Sequence, residues 1–162
     1  MLYFEDFAVG QRFAAGPRRV EAAEIVAFAG QFDPQPFHLD DAAAKHSAFG
    51  GLAASGWHTA AMTMRLIVDS GFRPAGGIFG FGGELLWLKP VRPGDELRID
   101  SEVLELRQSR SRPDQGLLKA RVTTYNQHGE TVQTFTPTLL VERRPASRTG
   151  ELERVKGIEP SS

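Results

Sequence analysis

Asp33 and His38 are the residues in this chain whose types and spacing best suit chemistry. They bracket Pro34-Gln35-Pro36-Phe37, and the stretch runs on to Leu39-Asp40. A carboxylate beside an imidazole can move a proton or activate water, because histidine titrates near neutrality and an acid can orient or charge it. Two prolines exclude a regular helix between them and let both side chains turn toward one cavity. Spacing alone equally allows a turn aspartate followed by a half-buried histidine. Downstream, Gly50-Gly51-Leu52-Ala53-Ala54-Ser55-Gly56-Trp57-His58-Thr59 opens the most apolar helical run of the chain. At a helix start the free N–H groups and the dipole stabilise negative charge, and a glycine lets an oxygen approach closely. A carbonyl polarised at Gly56 would gain oxyanion character, although these glycines also suit a tight turn. Ser55 is the natural N-cap.

Other candidates carry less. His38, Asp40, Asp41 and His46 are metal-ligand types, but their spacing matches no metal signature, and acids at a helix start account for the aspartates. His58 reads as a packing residue of the apolar helix and His128 as an exposed turn residue. No G-x-S-x-G context surrounds Ser55.

The elements that must position these residues follow from periodicity. A short strand fits residues 11–20, and an amphipathic helix fits 21–31, with Glu21 and Glu24 in its first turn and Gly30 marking its end. Asp40 or Asp41 caps a brief turn over 41–45. Residues 54–70 form a helix that is apolar around much of its circumference and therefore buried. Strand patterns follow at 78–88, 96–106, 117–126 and 131–143, with Gln127-His128-Gly129 as a hairpin turn. Four strands in succession imply an antiparallel meander, which the early strand extends to five, with the helix from Ala54 as its cover. Residues 145–162 lack periodicity and read as a mobile tail.

The chain has 162 residues, enough for one domain with a real core. A formal net charge of -1 gives no pull toward nucleic acid or an anionic membrane. The absence of cysteine excludes disulfides, thiolate metal sites and a cysteine nucleophile, and suits a reducing cytoplasm. No apolar run approaches the ~20 residues that span a bilayer, and the start lacks signal-peptide character. A soluble, cytoplasmic protein with a small-molecule substrate is expected.

Asp33-Pro34-Gln35-Pro36-Phe37-His38 resembles the hydratase motif of the MaoC-like dehydratases and (R)-specific enoyl-CoA hydratases, in which an aspartate and a histidine flank an Asn-Pro pair. Ala53-Ala54-Ser55-Gly56-Trp57 resembles that family's entry into its central helix, and Leu88-Lys89-Pro90-Val91-Arg92-Pro93-Gly94-Asp95 its strand-turn-strand. The resemblance covers residues 4–142. It implies an α+β hot-dog fold over 1–144, an antiparallel β-sheet wrapped around a long central α-helix, and a homodimer with active sites near the interface. It also implies that Asp33 and His38 add water to a trans-2-enoyl-CoA thioester, or remove it from a 3-hydroxyacyl-CoA, while the Gly56 N–H polarises the carbonyl. No cofactor or metal is implied. Gln35, Phe37, Ser55 and Trp57 are then expected against the acyl-CoA. Gln35 replaces the usual asparagine and Phe37 a smaller aliphatic residue, so these two positions bear on substrate identity. Lys89 and Arg92 could meet a CoA phosphate, but exposed loop cations are common and the sequence does not assign them that role. A hot-dog thioesterase and a silent acyl-CoA-binding subunit remain as other readings.

Overall fold

The computed structural model describes residues 1–146. Its organising element is helix α4 (Gly56–Asp69), which begins where Ser55 Oγ accepts the Trp57 N–H (3.3 Å) and ends where Ser70 turns back to the Ile67 carbonyl. His58, Thr59, Met62, Thr63, Leu66 and Ile67 are its buried residues. They recur at i, i+1, i+4 and i+5, the stripe that faces a sheet. The opposite side is open: Trp57 is 62% and Val68 50% exposed. The helix is thus amphipathic where sequence predicts burial almost all round, because only one sheet covers it.

Five antiparallel strands form that sheet: β1 (Arg12–Arg19), β2 (Phe79–Trp87), β3 (Glu96–Gln108), β4 (Gln115–Tyr125) and β5 (Thr131–Glu142), in the order β1-β3-β4-β5-β2. Alternate residues of β3 and β4, among them Leu97, Ile99, Val103, Leu118, Ala120 and Val122, point into the core, the period-2 pattern of a sheet covered on one side. Sheet and helix together are the hot-dog architecture.

One expectation of order fails. Strands β3, β4 and β5 form a meander, but β2 pairs with β5 at an edge instead of with β3. Residues 88–95 are a crossover, not a hairpin turn. Val91 O accepts the Ala54 N–H (2.9 Å), and the Arg92 guanidinium donates to the carbonyls of Phe49, Gly51 and Leu52. The crossover is thereby fastened to the loop before α4, and β3 enters the sheet beside β1.

Three short helices carry the motif residues: α1 (Ala22–Phe32), α2 (Pro36–Leu39) and α3 (Asp41–Ala44). Helix α1 runs through Gly30 to Phe32. The segment after Asp33, expected to be non-helical, holds one helical turn with Pro36 at its first position, where a missing N–H costs nothing. Asp40 Oδ1 caps α3 by accepting the Ala42 N–H (3.1 Å). The tail predicted at residues 145–162 lies, from residue 147 on, outside the described residues. No helix among the described residues is long and apolar enough to cross a membrane.

Candidate active site

Chain geometry brings Asp33 to His38. Asp33 closes α1 with its N–H on Ala29 O (2.9 Å), its own carbonyl accepts the Gln35 N–H (2.8 Å), and Gln35 O accepts the His38 N–H (2.9 Å). The two corners bend the chain back so that His38 Nε2 stands 3.4 Å from Asp33 Oδ2.

His38 is buried, and its Nδ1 lies 2.7 Å from the Ala53 carbonyl. A carbonyl only accepts, so Nδ1 carries the hydrogen and donates it. In the neutral ring the lone pair then sits on Nε2, toward Asp33. Phe37 meets the ring edge-on (centroids 4.6 Å, 85°), and Phe49 packs against both. The imidazole is thus fixed in place and tautomer by groups that do not titrate.

Asp33 is held by two neutral donors. Gln35 Nε2 donates to Oδ1 (2.6 Å) and Ser55 Oγ to Oδ2 (2.7 Å). The bonds from Gln35 and then Ser55, with a smaller contribution from His38, hold this carboxyl below the usual aspartate range against the opposing effect of burial. Ser55 therefore has two tasks: it caps α4 and it fixes Asp33. Gln35, expected beside the substrate, is occupied by Asp33.

Gly56 is the first residue of α4, and its N–H has no acceptor among the described residues. A Cβ here would lie 2.5–2.8 Å from Trp87 ring atoms Cε2, Cδ2 and Cζ2, so only glycine fits under that indole. A cavity of about 300 Å³ opens beside it, lined by His38, Phe49, Ala54, Gly56, Thr59, Trp87 and residues 88–91. His38 and Gly56 thus line one cavity. Asp33, Gln35, Phe37, Ser55 and Trp57 are not in the lining. Trp57 instead abuts Trp87 edge-on, with centroids 5.1 Å apart.

The remaining candidates have structural partners. Asp41 Oδ1 accepts the Leu52 N–H (2.9 Å), and its other oxygen faces Lys45. Lys89 lines the cavity and pairs with Glu130, while Arg92 is engaged by three carbonyls. His58 stacks flat on Phe28 (4.7 Å, 10°) and is held below the usual histidine range mainly by burial. Among the described residues no three His, Asp or Glu side chains converge on a metal-sized site. Phe49 and Trp87 were not singled out by sequence; only the fold carries a strand-end tryptophan to a glycine 31 positions earlier.

The family model for the MaoC like domain matches residues 6–126. The chain belongs to this family. As a MaoC-like domain it is similar to the MaoC-like dehydratase of Rhodospirillum rubrum, whose crystal structure is 58% identical, superposes with a TM-score of 0.87, and matches 90% of this chain and 100% of that one. It is 36% identical over 124 residues to the uncharacterized protein YdeM of Bacillus subtilis, covering 76% of this chain and 86% of YdeM. It is 32% identical over 114 residues to the 3-hydroxybutyryl-CoA dehydratase of Methylorubrum extorquens, covering 69% of this chain and 70% of that enzyme. Two of its relatives, that enzyme and the mesaconyl-CoA hydratase of Cereibacter sphaeroides, are named for CoA thioesters.

Proposed function

We propose that this protein is a hydro-lyase that adds water to a trans-2-enoyl-CoA thioester and, in reverse, dehydrates the 3-hydroxyacyl-CoA. The observation that carries the reading is a histidine with Nδ1 tied to a carbonyl and Nε2 beside Asp33, lining the same cavity as Gly56, whose N–H has no acceptor among the described residues.

In this reading the thioester carbonyl accepts from Gly56 N–H, at the positive end of the α4 dipole. His38 Nε2 takes a proton from water as its oxygen bonds to C3, and electron density moves through C2 onto the thioester oxygen. Asp33, kept ionised by Gln35 and Ser55, stabilises the imidazolium. The proton then passes from Nε2 to C2, the carbonyl re-forms, and the site regains its starting state. Water is added with no net proton consumed and no cofactor required.

The open edge of β2, with Phe79, Phe81, Leu86 and Leu88 about half exposed, supports a homodimer joined along that strand. CoA thioesters as substrates favour the cytoplasm.

The test is loss of enoyl absorbance with crotonyl-CoA and longer trans-2-enoyl-CoAs, for the wild type, Asp33→Asn and His38→Ala. Each substitution is expected to lower the rate by about 10²–10⁴-fold. Unchanged rates would remove both residues from the mechanism, and thiol release from acyl-CoA in place of hydration would make the protein a thioesterase.

A further inference from the structure

Trp87, Gln133 and Thr124 stand directly opposite one another across β2, β5 and β4. Gln133 and Thr124 are both 0% exposed, and Thr63 of α4, also buried, lies against them. A buried primary amide is costly unless both its ends are bonded. Here both are, and the orientation of the amide is forced. The indole N–H can only donate, so Gln133 must present Oε1 to Trp87 Nε1 (3.1 Å). Its Nε2 is thereby turned to donate to Thr63 Oγ1 (3.0 Å), and the Thr63 and Thr124 hydroxyls share a hydrogen bond (2.8 Å). One polar chain therefore runs from the sheet through α4 to a tryptophan that is 45% exposed.

The other side of that tryptophan lies on Gly56, close enough that no Cβ fits between them. Trp87 is also part of the cavity wall, whereas Gln133 is not. An apolar residue at 133 would fill the core at less desolvation cost, so the amide is poorly explained by packing alone.

We propose that Gln133 is a positioning residue for the thioester site: by holding Trp87 Nε1 it sets where the indole lies over Gly56, and so the gap through which a thioester carbonyl reaches the Gly56 N–H. The proposal rests on the hydratase reading for the identity of the ligand. Gln133 touches no substrate and acts only through Trp87, with Thr63 and Thr124 fixing its orientation.

The chain has two tryptophans, so Trp57→Phe leaves Trp87 as the sole indole reporter. In that background, Trp87 emission, its quenching by butyryl-CoA (a saturated thioester that cannot be hydrated), and kcat and KM for crotonyl-CoA are compared with and without Gln133→Met. The substitution is expected to shift the emission, weaken the quenching, and lower kcat about tenfold, within the range found for coupled neighbours. In a Trp87→Phe protein the same substitution should cause no further loss of kcat. Multiplying effects in the double variant, or unchanged emission and kcat with Gln133→Met, would overturn the proposal. Thr63→Val, nearly isosteric, loosens Gln133 from its other end; the same pattern is expected, and serves if Gln133→Met does not fold. Quenching that depends on Gln133 without any hydration would sink the hydratase reading and leave the positioning role standing. Hydration without any quenching of Trp87 would do the reverse.

Discussion

Gly56→Ala is a one-methyl perturbation whose effect follows from coordinates alone. The backbone at Gly56 is not in the left-handed region, and it starts a helix, so alanine costs nothing locally and gains up to about 1 kcal/mol of helix propensity. All of the penalty must come from the added methyl. Its carbon would sit 2.5, 2.6 and 2.8 Å from three indole atoms of Trp87. Carbons in contact rest at about 3.5–4.0 Å, so the ring must retreat by about 1 Å. Retreat stretches the 3.1 Å bond to Gln133 and unseats the edge contact with Trp57. Overpacking of this kind costs about 1–3 kcal/mol, which leaves a net loss of about 0–2 kcal/mol after the propensity gain. The N–H at position 56 survives, so any kinetic effect reports displacement; a shift of about 1 Å at a reacting centre can cost on the order of 10²-fold. Urea unfolding and crotonyl-CoA hydration measure the two effects, and in a Trp87→Leu background, where the collision is absent, Gly56→Ala should cause no further loss of stability. A Gly56→Ala protein as stable and as active as the wild type would mean that the indole does not press on Gly56, and the account of the site's roof would fall.

Ser55→Ala removes both the α4 cap and a donor to Asp33, and is expected to destabilise by about 2–3 kcal/mol at pH 7 in urea unfolding. Because Asp33 has a lowered folded pKa, its stabilisation is present above the ordinary value of about 3.9 and is lost as pH falls through the folded value; the gap between variant and wild type should therefore narrow below about pH 4, and a gap that stays constant would show that Ser55 acts only as a cap. His58 is held neutral by burial, so the wild type should lose stability as pH falls below about 6.5, by up to about 1.4 kcal/mol per unit until the folded value is reached. His58→Phe, stacked on Phe28, should match the wild type at pH 8 and show a flatter profile from pH 6.5 to 5 in thermal melts; equal slopes would remove His58 as the cause.

Much of the site was legible because its parts are local in the chain. The Asp33–His38 spacing with two prolines forces a compact corner whatever surrounds it, and Ser55-Gly56 before an apolar run is a helix start by its own chemistry. The strands of β3, β4 and β5 declare themselves by alternation. Strand order did not, since a proline-glycine connection between two strands reads as a hairpin; the crossover of residues 88–95 depends on Arg92 finding three carbonyls some forty residues earlier in the chain, which no local pattern encodes. Gln35 and Trp57 were expected against a ligand from their types; the structure places Gln35 on Asp33 and Trp57 on Trp87.

The sequence by itself therefore determined the chemical groups, a turn that allows them to pair and the helix that offers an N–H, because these depend on backbone restrictions and contacts within a few residues. Tertiary structure decided what surrounds them: the tautomer of His38, through a carbonyl fifteen residues away; the second donor to Asp33, Ser55, which adds to the local bond from Gln35; and the roof over Gly56, through a tryptophan held by Gln133. Each of these rests on a hydrogen bond or a close contact between segments that the fold, not the local sequence, brings together.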